Sequence, residues 1–184
     1  IIKFIIKKIK QKKIVGLFKG RLEWGARALG NRSILADPRE KNIKEIINKK
    51  IKLRENFRPF APSILHKHAN KWFKFNKIKE VPNMMQVLKF KKDVKKITPA
   101  IRHVDNTGRL QTVKKKDNPF YFKLLNEFYK ETKIPMLLNT SFNVQEPIVC
   151  KPYDAIKCFK KSKMDCLIIE NFIITRKNND GFYK

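Results

Sequence analysis

The chain has 184 residues, 42% of them hydrophobic, and sets 44 Lys and Arg against 16 Asp and Glu for a formal net charge of +28. That length holds one well-cored domain and excludes two ordinary ones, and the apolar content excludes a disordered chain. Two readings of the charge compete: a phosphate-rich partner such as RNA or DNA, or an A+T-rich coding bias that fills solvated faces with Lys. The lysines are spread along the chain rather than gathered in one stripe, which favours the second. Nonspecific polyanion binding at low salt follows in either case. Cys150, Cys158 and Cys166 match no zinc spacing and, being odd in number, no disulfide framework, so a reducing cytoplasm is the simplest setting.

In chain order, the opening IIKFIIKKIK is interrupted by lysines and cannot span a membrane; it reads as the edge of a strand or helix rather than as a basic membrane anchor. The chain begins at Ile1 without Met, which suggests the C-terminal piece of something longer. Ile14–Phe18 is a buried strand. Gly20–Arg39, reading GRLEWGARALGNRSILADPR, combines glycine hinges with Arg21, Arg27 and Arg32 and is expected to be an anion-binding loop. Ile43, Ile46, Ile47 and Ile51 recur at helical spacing over Glu40–Lys52, with Pro38 before them. Pro59 and Pro62 make Arg58–Leu65 extended. Lys67–Phe75 is a short helix, and its KWFKF string either fills a core or stacks on bases. Met84–Phe90 and Arg109–Val113 are strands around a basic linker, Lys91–Lys96. Asn118–Lys130 is a helix with Phe122, Leu125 and Tyr129 on one side. Ile134–Leu138 is a strand entering NTSFN, Pro152–Lys161 a helix, and Asp165–Ile169 and Phe172–Ile174 closing strands. The tail from Lys177 is expected to be disordered. This alternation predicts an α/β domain with a mixed, twisted sheet, flanking helices and ligand loops at strand ends.

Three further clusters bear on chemistry. Lys52-Leu53-Arg54 puts two cations at i and i+2, which share a side only in an extended segment, and Arg58 follows. His103–Gln111, HVDNTGRLQ, is a polar loop that delivers Arg109 to a strand. Asn139–Asn143, NTSFN, offers Ser and Asn side chains and free N–H groups at a pocket rim. No Walker loop, GxGxxG, HxxxH or HExxH occurs. Ser141 lacks His and Asp partners for a nucleophile, and Cys150 lacks the surroundings of an activated thiolate. The chain therefore offers cations and hydrogen-bond donors, which act by positioning and neutralising charge, as adenylyl or phosphoryl transfer requires.

The strings GRLEWGARALGNRSILADPR, IKLRENFRPFAPSIL, HVDNTGRLQTV and IPMLLNTSFNVQEPIVCKPYDAIKCF, in this order over roughly Gly16–Ile174, resemble the C-terminal domain of the O-carbamoyltransferases. That family includes nodulation-factor, cephamycin and tobramycin carbamoyltransferases. The domain is similar in fold to the YrdC-type threonylcarbamoyl-AMP synthases, in which a Lys-x-Arg pair and a Ser-x-Asn hold ATP phosphates and the carbonyl-bearing reactant. Lys52-Leu53-Arg54 and Ser141-Phe142-Asn143 match both patterns. The resemblance implies a domain over residues 1–176, a disordered tail at 177–184 and an absent N-terminal domain of the sugar-kinase/actin-like type. It also implies that ATP, with Mg2+, and carbamoyl phosphate form a carbamoyl-adenylate here, from which the carbamoyl group passes to an acceptor hydroxyl. Fe2+ or another divalent metal would belong only to His and Asp ligands of that N-terminal domain, and that domain or a separate subunit would be the partner. Lys52, Arg54, Arg109 and Ser141 would form the catalytic set, with Arg27, Asn31, Arg32 and Asn143 as further nucleotide or carbamoyl-phosphate contacts. Two departures stand out: Ala26 occupies a position where the family usually has Pro, and NVQEPIV is one residue shorter than the NVxGEPIV form. The competing readings are a basic double-stranded-RNA-binding module and an inactive fragment.

Overall fold

A computed structural model describes residues 1–76, 78–91 and 96–176. The expected tail at 177–184 and most of the expected linker at 91–96 lie outside them. Eight strands form one mixed sheet in the order β4-β5-β3-β6-β2-β1-β7-β8. Its centre is β3 (Ala61–Leu65), β6 (Met136–Ser141), β2 (Arg32–Ala36) and β1 (Val15–Phe18). These strands are almost entirely buried, so burial runs unbroken along them rather than alternating, and the polar Arg32, Ser33, Ser63 and Asn139 are buried with them. β7 (Cys166–Ile169) runs parallel to β1, and β5 (Thr107–Val113) parallel to β3. β4 (Gln86–Lys89) and β8 (Phe172–Thr175) are the antiparallel edges. Helices cover the sheet, as the α/β expectation requires.

The opening segment is helix α1 (Ile2–Lys10), with Ile5, Ile6 and Ile9 buried and packed toward α4. Its apolar stripe is thus covered by protein. Among the described residues no helix is long and apolar enough to cross a membrane. α4 (Pro119–Thr132) is capped by Asn118, whose side chain accepts from the Tyr121 amide at 2.9 Å. It buries Tyr121, Leu124, Leu125 and Phe128, so the apolar face is rotated from the expected Phe122, Leu125 and Tyr129; Phe122 and Tyr129 are only half-buried. In α3 (His66–Trp72) and just beyond, Trp72 and Phe73 lie in the core. The KWFKF aromatics therefore fill the interior, and base stacking loses its platform. α5 (Pro152–Lys161) buries Ala155, Cys158 and Phe159.

Two local expectations are corrected. The Gly20–Arg39 segment is not one loop, because its second half is β2, held antiparallel between β1 and β6. The turn-formers on either side of the five-residue run RSILA mask it. The Lys52-Leu53-Arg54 triplet is not extended either. Helix α2 (Ile43–Ile47) continues into one π-helical turn over Asn48–Lys52, which ends on a left-handed Leu53 (φ 47°, ψ 51°). Such turns inside helices concentrate at functional sites.

Candidate anion-binding cleft

The site lies where the π-turn, the end of β6 and the start of β5 meet. Lys52 is 3% exposed. Its Nζ donates to the Ser141 carbonyl (2.5 Å), Ser141 Oγ (3.2 Å), the Asn143 carbonyl (2.9 Å) and Asn143 Oδ1 (2.7 Å). An ammonium has three protons for these four oxygens, so the Ser141 Oγ contact, the longest, is the shared one. Ser141 Oγ also donates to Asn143 Oδ1 at 2.8 Å. The Lys-x-Arg and Ser-x-Asn patterns thus converge on one nitrogen. Burial, then the Arg54 cation, pulls Lys52 from its ordinary 10.5 down to about 7.

Asn48 organises the rest of the turn. Its fully buried side chain donates to the carbonyls of Asn56 (3.2 Å) and Arg58 (3.0 Å) and accepts from Arg54 Nε at 2.8 Å. Arg54 also lies over the Phe60 ring, 4.9 Å from its centroid. The cleft beside Lys52, about 430 Å³, is lined by Arg54, Arg58, Ser141 and Asn143. Arg54 and Ser141 also line an adjoining hollow with Arg27 and Arg109. A further one of about 230 Å³ contains Arg54, Arg58, Arg109 and His103. Arg54 lines all three, so they adjoin one another.

These cations oppose one another. Burial and then Arg58 hold Arg54 below its ordinary value, with Glu55 acting against them; burial and then Arg27 do the same to Arg109. Arg109 Nε is buried without a hydrogen-bond partner. Arg58 is paired to exposed Glu55 at 2.8 Å. A polyanion entering the cleft would relieve this mutual repulsion.

The Gly-rich loop contributes Arg27 alone of its expected contacts. Arg32 is 4% exposed, and its Nη1 donates to the carbonyls of Lys19, Gly20 and Asn31. Its guanidinium stacks 3.5 Å from the Phe18 ring centroid. Asn31 donates through Nδ2 to the Arg21 carbonyl and accepts from Asn118 Nδ2, both at 2.8 Å. Both residues close the base of the loop and line none of the three hollows. Asn139 is buried and lines the hollow that holds Arg27 and Arg109, while its Nδ2 donates to the Ala28 carbonyl (3.0 Å) and Ser63 Oγ (2.9 Å). Ser63 donates to Gln111 Oε1, and Gln111 Nε2 to the Leu29 carbonyl. This buried chain ties the loop carrying Arg27 to β3, β5 and β6.

A family model described as "Carbamoyltransferase C-terminus" matches residues 6–176. The chain belongs to that family. It is 45% identical over 166 residues to nodulation protein NolO of Bradyrhizobium diazoefficiens, an alignment covering 89% of this chain and 30% of NolO. The chain thus spans under a third of that relative's length. In fold, this carbamoyltransferase C-terminal domain is similar to the full-length HypF solved in a phosphate- and nucleotide-bound form (TM-score 0.65, 18% identity, 92% of this chain and 25% of HypF). It is also similar to Sua5 of P. abyssi complexed with L-threonine (TM-score 0.63, 16% identity, 92% of this chain and 46% of Sua5). The YrdC-like fold expected from the sequence is the one observed.

Within this carbamoyltransferase domain the structure brings together Lys52, Arg54, Arg109, Ser141, Asn143 and Arg27, and leaves Asn31 and Arg32 apart. Asn48 escaped the sequence reading because a lone Asn at the end of an isoleucine-periodic helix carries no signal. The NVQEPIV segment closes on itself. Asn143 Nδ2 donates to the Glu146 carbonyl at 2.6 Å, and the Glu146 carboxylate accepts from the amides of Val144 and Gln145. Cys158, behind this loop, has its thiol pushed up to about 12 by burial and then by its hydrogen bond to Glu146, which makes it a poor nucleophile.

Proposed function

We propose that this domain binds ATP and carbamoyl phosphate in the cleft and makes a carbamoyl-adenylate, whose carbamoyl group then passes to an acceptor hydroxyl held by another domain or subunit. In balance, carbamoyl phosphate, ATP and water yield carbamoyl-adenylate, phosphate and pyrophosphate. The single observation that carries this reading is the convergence of Lys52, Ser141 and Asn143 beside Arg54, Arg109 and Arg27. Two reactants rich in phosphate need several cations at fixed separations, and the arginines lining the cleft supply them. Lys52 and Arg54 suit the polyphosphate, and Arg109 and Arg27 the second phosphate. Ser141 Oγ and Asn143 orient an oxygen at the reacting centre. Removing one such charged donor costs about 2–4 kcal/mol of transition-state stabilisation.

Among the described residues no three His, Cys, Asp or Glu side chains converge as a metal site. Mg2+ would arrive on the nucleotide phosphates. The test is carbamoyl-phosphate-dependent release of pyrophosphate from ATP by the purified chain. Release that requires both reactants and falls at least a hundredfold in Lys52→Ala supports the reading. Release that ignores carbamoyl phosphate, or survives Lys52→Ala, overturns it.

A further inference from the structure

Beyond the cations, His103 stands in the cleft with no role in the chemistry above. The hollow of about 230 Å³ is lined by Arg54, Arg58, Pro59, Phe60, Ala61, Val87, His103 and Arg109. Three of these side chains are arginines, which only donate, and four are apolar. His103 is the one side chain among them that can accept a hydrogen bond.

The surroundings of the ring fix which nitrogen accepts. Thr107 Oγ1 donates its proton to Asp105 Oδ1 at 2.7 Å. The His103 Nδ1···Thr107 Oγ1 contact at 3.0 Å must therefore be donated by Nδ1–H. Nε2 is left as the bare lone pair, and no partner among the described residues takes it. The neutral ring is favoured as well. Burial pulls the imidazole below its ordinary value; Asp105 opposes it, and Arg109 and Lys44 add to the lowering. The turn that carries it is rigid: the His103 amide donates to the Thr107 carbonyl at 2.9 Å, the Asn106 amide returns to the His103 carbonyl at 3.1 Å, and Arg102 braces Asn106 Oδ1 at 2.9 Å.

We propose that His103 Nε2 accepts from the NH2 of a bound carbamoyl phosphate and so selects this acyl phosphate over one with a methyl group in the same place. The inference rests on the function proposed above. An NH2 and a methyl differ little in shape, so a pocket cannot separate them by size. One oriented acceptor can, because the methyl leaves it unpaired. The phosphate of either compound would sit on Arg109, the cation this hollow shares with the one lined by Arg27, and the NH2 would turn toward His103.

The experiment compares calorimetric binding of carbamoyl phosphate and acetyl phosphate to the whole chain and to His103→Leu, His103→Gln and Thr107→Val, with ATP and ITP as a second pair. The wild type should prefer carbamoyl over acetyl phosphate about tenfold, the equivalent of one hydrogen bond. His103→Leu should bring that ratio to within about twofold, and His103→Gln, which keeps an acceptor, should restore most of it. Thr107→Val, which frees the tautomer, should erode the ratio and serves as the readout where His103→Leu fails to fold. Binding of both acyl phosphates with equal affinity, or a ratio indifferent to His103, overturns the inference and leaves the proposed function standing. A change in the ATP-to-ITP ratio alone assigns the lone pair to the base and also overturns it. Binding of neither acyl phosphate removes both.

Discussion

Lys52 Nζ lies 2.7 Å from Asn143 Oδ1 and 2.5 Å from the Ser141 carbonyl, joining two segments about ninety residues apart in the chain. The contact is a tertiary clasp at the wall of the proposed binding cleft. Replacing Lys52 therefore acts on stability and on ligand affinity with separate pH dependences.

The stability effect has a definite sign. Lys52 titrates at about 7 in the folded chain against an ordinary 10.5. Between those values the unfolded chain holds the proton and the folded chain does not, so this residue makes stability rise with pH across that window. Below about pH 7 both states are protonated, and the desolvation cost of the buried ammonium is fully present. Lys52→Met removes that cost. The urea-unfolding free energy of the wild type minus that of Lys52→Met should therefore increase from pH 7 to pH 10. Parallel curves would contradict it.

Ligand binding should carry the complementary proton signature. At pH 8 most free Lys52 is neutral, and a phosphate brought beside it favours the ammonium. Binding of ATP at pH 8 should thus take up close to one proton in the wild type and almost none in Lys52→Met. Calorimetry in two buffers of different ionisation enthalpy measures this directly, and equal uptake in both proteins would exclude Lys52 as the titrating group.

Asn48 should matter to the cleft without touching ligand. Asn48→Ala leaves the Asn56 and Arg58 carbonyls and Arg54 Nε without their buried partner. It should cost about 1–3 kcal/mol of stability and weaken ATP binding through a released Arg54. Asn48→Asp keeps the Arg54 contact but loses the two donors, so its affinity loss should be smaller than its stability loss. A thermal melt and an ATP titration on both variants separate the two effects.

Much of this arrangement was legible in the sequence. Apolar runs such as IVGLF and IPMLL mark β1 and β6 because buried central strands need no alternation, Pro152 opens α5 where expected, and α4 begins next to the expected Asn118. The Lys-x-Arg and Ser-x-Asn patterns found the centre of the cleft. What the sequence hid is what depends on neighbours distant in the chain. β2 is a strand because β1 and β6 flank it. Arg32 looks like a ligand-binding arginine by type, yet three backbone carbonyls engage it. Asn48 and the Asp105–Thr107–His103 chain have meaning only through geometry.

The glycines of the GRLEWGARALG segment divide in the same way. A Cβ on Gly30, at φ +116°, would meet Tyr121 Cδ1 at 2.3 Å, whereas one on Gly25, at φ +102°, would meet nothing within 4 Å. Gly30→Ala should therefore cost well over about 2 kcal/mol, combining the overpacking of a buried ring with backbone strain. Gly25→Ala carries the backbone strain alone and should cost about 1–2 kcal/mol. Thermal melts of the pair test it, and equal losses would show that Tyr121 yields freely.

Arg32 and Arg27 provide the sharpest contrast, because the same residue type five positions apart serves opposite ends. Arg32→Ala removes a buried guanidinium from three carbonyls and from the Phe18 face, so it should lower stability by about 2–4 kcal/mol. At temperatures where the variant stays folded, its ATP affinity should lie within about twofold of wild type, a difference of about 0.4 kcal/mol. Arg27 is exposed and lines the cleft beside Arg109. Arg27→Ala should leave stability within about 0.5 kcal/mol, and it also lifts one source of repulsion from Arg109. Its dissociation constant for a phosphate-bearing ligand should nonetheless rise about tenfold or more, since a charge-assisted contact outweighs the relieved repulsion between partly solvated cations. An Arg27→Ala variant that binds as well as wild type while Arg32→Ala does not would reverse the assignment of the two residues.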